Sequence, residues 1–158
     1  MSDLPTGIAP EIHRRLAVDL NQLTWRLLEK AEPTPDEAEE MLQAAYASCY
    51  HWRQVGTALE QARGHWLISR VCAVLTRPEG ALHHARRCLE ICEGEGYGDF
   101  DLAYAFEAVA RAAASAGHAA ECRQWRELAR QAGDAIQDPE DRQLFLSDLQ
   151  SDPWFGTL

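Results

Sequence analysis

The 158-residue chain has almost no lysine and no excess of positive charge. Lys30 is its only lysine, 25 residues are acidic, and the formal net charge at pH 7 is −10. Because a net-acidic surface repels phosphates and anionic lipid headgroups, we expect neither nucleic acid nor a membrane as partner. The chain also lacks an apolar run of the ~20 residues that cross a bilayer, and residues 1–10 show no signal-peptide pattern.

Cysteine motifs are absent as well. The five cysteines are odd in number and show no CxxC spacing: Cys49, Cys72, Cys88, Cys92 and Cys122. All five lie in segments that we predict to be helical, a pattern typical of reduced thiols buried in a core. The sequence therefore predicts a cytoplasmic protein without disulfides.

Alanine is frequent and β-branched residues are few, which favours helix throughout. Capping boxes at Thr34–Glu37 and Thr57–Glu60 mark two helix starts, and Gly117 and Gly133 are expected to close two helices. The predicted helices run over about 10–31, 35–54, 57–75, 78–93, 99–116, 119–132 and 138–150, with an irregular tail over 151–158. No segment reads as a strand, so the fold class is all-α.

Two stretches, Thr57–Cys92 and Gly98–Gly133, coincide when one is shifted by 41 residues. Small residues then fall on one another in three pairs: Ser69 with Ala110, Ala81 with Cys122, and Cys88 with Ala129. A fixed period of this length is typical of stacked helical hairpins that share one core. We therefore predict a single domain over 1–158, an α-α superhelix of three hairpins capped by a final helix.

On the predicted third and fifth helices, polar side chains form only a narrow stripe. This pattern is typical of helices that are buried on three sides and open on one, and it indicates a groove. In a stack of hairpins the first helix of each pair lines the inner face, so the two stripes would face each other. Arginine and aromatic residues are enriched at binding hot spots. We therefore predict a ligand- or partner-binding site made of Arg63, Trp66, Arg70, Tyr104, Glu107 and Arg111.

These residues predict a non-catalytic interaction module that binds a protein or peptide. Arginines in line would form a local positive site, which favours an acidic segment held through its carboxylates. The alternative is that the arginines pair internally, for example with Glu107 or Glu60. No arrangement of nucleophile, acid and base is visible, so we expect no enzyme activity, no metal and no cofactor.

Two further alternatives remain open from the sequence. His51, His65 and His84 fall on three consecutive helices and would together hold a metal in a helical-bundle enzyme. Trp154 and Phe155 near the end of the chain would either seal the stack or meet a second copy in a homodimer.

The stretch Glu79–Leu89 resembles the second helix of a tetratricopeptide repeat, in which small residues allow close packing of helices. The stretches Ala81–Cys92, Asp99–Ala105 and Asp138–Arg142 more closely resemble a group of small bacterial tetratricopeptide-like proteins. The resemblance implies the fold, and it implies no chemistry. The lysines that hold a carboxylate in that family are missing here, so arginines would replace them.

Overall fold

A computed structural model of the chain describes residues 6–158 and contains no strand in that range. Its helices are α1 (Pro10–Leu28), α2 (Pro35–Val55), α3 (Ala58–Val74), α4 (Pro78–Glu95), α5 (Asp99–Ser115), α6 (Ala119–Asp134) and α7 (Pro139–Gln150). The predicted all-α fold is confirmed, and the bounds differ from the expected ones by a few residues. None of these helices is long and apolar enough to cross a membrane. Part of the segment inspected for a signal peptide, residues 1–5, lies outside the described residues.

Local sequence signals explain where the helices begin and end. Thr34 accepts a hydrogen bond from the Glu37 backbone N–H at 3.2 Å, and the Glu37 carboxylate accepts one from the Thr34 N–H at 3.2 Å. This reciprocal pair satisfies two donors that a helix N-terminus otherwise leaves free. Gly96 and Gly117 follow α4 and α5 with φ of 72° and 78°, which only glycine adopts without strain.

The helices pack as three successive hairpins, α1 with α2, α3 with α4 and α5 with α6. Each second helix packs against the first helix of the next hairpin, and α3 contacts α5 directly. The last helix, α7, lies against both α5 and α6 and closes the stack. The first helices α1, α3 and α5 therefore line one face of the molecule, together with α7.

Small residues allow the helices to approach closely. Ten of the 17 residues of α5 are buried, and seven of those ten are alanine. The three coincident pairs of the 41-residue offset are all at most 3% exposed, as the repeat predicts. Ser69 also donates a hydrogen bond of 2.8 Å from its hydroxyl to the carbonyl of Ala81, which joins α3 to α4.

Gly133 does not end α6 as expected, because the helix continues to Asp134. The glycine is buried where α7 crosses α6, and a β-carbon there would overlap the ring of Phe145. Gly133 thus serves close helix packing, whereas Gly117 serves as a left-handed cap as predicted.

The segment after α7 folds back onto the end of the stack. Trp154 is 3% exposed, its indole N–H donates to the Leu149 carbonyl at 3.2 Å, and the Arg111 guanidinium lies 4.1 Å from its ring centre. Trp154 therefore seals the stack within its own chain and is not free to meet a second copy. Its neighbour Phe155 is 37% exposed.

We predict that Trp154→Ala lowers the free energy of unfolding by about 3–5 kcal/mol, because it removes a fully packed aromatic side chain. Phe155→Ala, next in sequence but exposed, should lower it by less than about 1 kcal/mol. Urea denaturation followed by circular dichroism measures both. Equal losses for the two variants would show that the tail does not cap the stack.

Candidate functional site

A cavity of about 420 Å³ opens on the face that the first helices share. We call it the aromatic groove. Its walls are Trp25 of α1, Arg63 and Trp66 of α3, Phe100, Asp101 and Tyr104 of α5, and Leu144 and Asp148 of α7. The buried thiols of Cys88 and Cys92 from α4 form its floor.

Aromatic rings form a continuous row along this face, with one ring from each of four helices. The rings of Trp25 and Trp66 stack with centres 5.8 Å apart. Trp66 meets Tyr104 edge to face at 5.7 Å, and Tyr104 meets Phe145 in the same manner at 4.8 Å. Such pairs favour a fixed arrangement beyond the area that they bury, so the wall of the groove is rigid.

Arg63 lies in the groove but does not present a free charge. Its guanidinium donates two hydrogen bonds to the carboxylate of Asp101, at 2.9 and 3.3 Å. This pairing stabilises the charged form and raises the pKa of Arg63. The side chain is 58% exposed, so the pair lies at the mouth of the groove.

Glu107 is buried behind the row of rings and serves as a shared acceptor. Its carboxylate accepts a hydrogen bond of 3.0 Å from the Trp66 indole and another from Arg111. Arg70 lies 4.0 Å from the same carboxylate, and burial, together with the nearby Arg111, lowers the pKa of Arg70. Glu107 thus fixes the indole of Trp66 and is the one carboxylate that Arg70 and Arg111 share. The charge of Asp148 also acts on Arg70.

Arg111 lies away from the groove, under the C-terminal segment. It is 3% exposed, and its guanidinium donates to the carbonyls of Asp148, Ser151 and Pro153. The polar stripe of α5 was expected to face water. In the structure α7 and the tail cover that stripe beyond Tyr104, so Glu107 and Arg111 support the groove from behind and do not line it.

The predicted arginines therefore fall into two groups. Arg63 reaches the groove, together with Trp66 and Tyr104, whereas Arg70 and Arg111 flank Glu107 in a narrow crevice behind it. Each arginine faces a carboxylate, as the alternative of internal pairing expected. The three arginines thus face two carboxylates, Asp101 and Glu107, which offset most of the positive charge that the stripe predicted.

Asp148 is the carboxylate of the groove that has no ion-pair partner among the described residues. Its Oδ2 accepts a hydrogen bond of 2.6 Å from the Tyr104 hydroxyl. Burial and this contact with Asp148 raise the pKa of Tyr104. The hydroxyl therefore keeps its proton and orients the carboxylate.

A second cavity of about 650 Å³ lies between α2, α3 and α4. It holds His65 and His84, whose Nδ1 atoms are 2.9 Å apart, so the N–H of one ring donates a hydrogen bond to the nitrogen of the other. The Tyr46 hydroxyl lies 2.9 Å from Nε2 of His84. Burial lowers the pKa of both histidines to about 4, and Arg87 adds to the effect on His65.

The three histidines of the metal alternative are not brought together. His51 pairs instead with His13 of α1, with their Nδ1 atoms 2.8 Å apart. Within residues 6–158, no three side chains of histidine, cysteine or acid are placed to hold one ion. The alternative fails because His51 projects toward α1, away from the pair formed by α3 and α4.

No family model, curated protein or solved structure matches this chain. The residues of the groove are therefore compared with one another through the 41-residue repeat. Shifting Trp66 by 41 residues in the two directions gives Trp25 and Glu107, and shifting Tyr104 in the same way gives Arg63 and Phe145. Sequence reasoning missed Trp25, Phe145 and Asp148. The 41-residue offset, extended to α1 and α7, would have found all three.

We predict that Glu107→Gln lowers the free energy of unfolding by about 3–5 kcal/mol, because it leaves the buried Arg111 without a counter-charge. Glu127→Gln on α6 is the control, since it removes an exposed pair with Arg130 and should have no measurable effect. Urea titration of both variants provides the test. An unchanged midpoint for Glu107→Gln would show that the buried pair does not hold the structure.

Acid should destabilise the protein through the His65–His84 pair. The pKa of each histidine is about 4 in the folded chain, against an ordinary value of 6.5. As the pH falls, the unfolded chain therefore binds protons before the folded chain does. The stability that depends on the neutral histidine pair is fully present above pH 6.5 and is lost as the pH falls toward 4. From about pH 7.5 to about pH 5.5 we expect a loss of about 1–2 kcal/mol for the pair, after allowance for solvent screening.

His84→Gln should reduce this pH dependence, whereas His118→Gln, at an exposed position, should leave it unchanged. Urea midpoints at the two pH values give the slope directly. A slope that is the same in wild type and in His84→Gln would contradict the assignment.

Proposed function

We propose that this chain is a non-catalytic interaction module of tetratricopeptide-like type, which holds an extended segment of a partner protein in the aromatic groove. The observation that carries the proposal is the row of rings along the shared inner face. The groove is open to solvent on two sides: Trp25, the outer ring of the row, is 41% exposed, and the aliphatic Leu144 on the other side of the groove is 52% exposed. Large apolar side chains that line a cavity and stay exposed are typical of binding surfaces.

The size and rigidity of the groove support a segment with one or two anchoring side chains. A volume of about 420 Å³ is at the small end of ligand pockets and suits side chains, not a folded domain. The walls come from four packed helices and are fixed by Glu107 and Asp148, so little freedom is lost on binding.

We also propose that the protein is cytoplasmic and of bacterial origin. Five free, buried cysteines support a reducing compartment such as the cytoplasm. The bacterial origin rests on the sequence resemblance alone. The tetratricopeptide-like character rests on the same resemblance and on the packing of the helices in three hairpins.

Peptides selected on the protein from a phage-displayed library test the proposal. Trp25→Ala should weaken the selected peptides by about tenfold or more, because Trp is an anchor residue of binding surfaces. Tyr50→Ala is the matched control, since Tyr50 is 49% exposed but lines the second cavity. Isothermal titration calorimetry gives the affinities.

Two results would contradict the proposal. Selected peptides that bind wild type and Trp25→Ala equally would show that the binding surface lies elsewhere. A library that yields no binding peptide would contradict the proposed binding function.

A further inference from the structure

The arginine stripe predicted a positive groove, whereas the side chains that line the aromatic groove include one arginine and two carboxylates. Arg63 is held by Asp101 with two hydrogen bonds, which neutralises that pair. Asp148 adds a negative charge without an ion-pair partner in the described part of the chain, and the other side chains of the groove are uncharged. Among the residues that line it, the groove thus carries one net negative charge, in a chain of charge −10.

One oxygen of Asp148 is open to a ligand. Its Oδ2 accepts from Tyr104, whereas its Oδ1 receives no hydrogen bond from the described residues. Both Tyr104 and Asp148 line the groove, so the open oxygen belongs to the same cavity as the tryptophan rings. A half-buried carboxylate with one free acceptor favours a cationic donor.

The aromatic walls favour the same kind of group. The faces of tryptophan and tyrosine attract a cation, and a planar guanidinium also stacks on them. The chain already shows this packing elsewhere, because Arg111 lies over the ring of Trp154 at 4.1 Å.

We propose that the aromatic groove selects an arginine side chain of the bound segment, which packs on Trp25 and Trp66 and pairs with Asp148. This inference rests on the proposed function and names the chemistry of the partner. Arg63 does not oppose it strongly, since Asp101 compensates its charge, and Arg70 lies outside the lining of the groove, beside the Glu107 carboxylate that it shares with Arg111.

The test uses three acetylated and amidated pentapeptides with leucine on both sides of the central residue and glycine at the ends. The central residue is arginine, its uncharged isostere citrulline, or glutamate. Titration of the full chain, followed by tryptophan fluorescence, should show the arginine peptide binding about tenfold tighter than the citrulline peptide, the range of a charge-assisted hydrogen bond. The glutamate peptide should bind weakest.

Asp148→Asn should abolish the difference between arginine and citrulline, because it keeps the acceptor for Tyr104 and removes the charge. Asp148→Glu should restore part of the preference. Glu140→Gln is the matched control, since it removes one exposed carboxylate from the same helix, and it should keep the full preference. Thermal melts of all three variants show that they are folded.

Equal affinities for arginine and citrulline, a preference for glutamate, or no binding of any of the three at millimolar concentration would overturn the inference. The proposed function is judged separately, because library-selected peptides that depend on Trp25 would uphold a binding groove of different specificity.

Discussion

The buried ion pair between Arg111 and Glu107 connects the wall of the aromatic groove to the C-terminal segment. Both side chains are at most 3% exposed, and burial of an isolated charge would cost several kcal/mol. The pair is stable here because Glu107 also accepts from Trp66, while Arg111 donates to three carbonyls at the end of the chain. The wall of the groove and the C-terminal cap are therefore held by one network, and each depends on the other.

The fold could be predicted because its signals are local. The capping boxes at Thr34 and Thr57 set helix starts, and the 41-residue offset of small residues gave the hairpins. Gly133 shows the limit of such reasoning, since a glycine near a helix end reads as a cap, whereas its role depends on Phe145 of the next helix.

The site could be predicted only in part. A helical wheel finds the stripe that contains Tyr104, Glu107 and Arg111, but it does not show whether water or another segment covers it. The partners of Arg111 lie 37 to 42 residues further along the chain, and they are backbone carbonyls that no sequence pattern marks. Trp25 was missed for a different reason, because the repeat was compared over two hairpins only.

The structure assigns different tasks to side chains of the same type. Arg111 and Arg70 compensate Glu107 behind the wall, whereas Arg63 lies at the mouth of the groove. The aromatic rings line the groove in which we propose that a partner binds, and hydrogen bonds to Glu107 and Asp148 hold Trp66 and Tyr104 in place. This division explains how a chain of charge −10 buries Arg111, with Glu107 as its counter-charge.

The indole N–H signals of the five tryptophans provide the most direct measurement. In an NMR titration with a library-selected peptide, the account predicts that the signals of Trp25 and Trp66 shift, while those of Trp52, Trp125 and Trp154 stay in place. Shifts confined to Trp52 or Trp125 would contradict the claim that the aromatic groove is the binding surface.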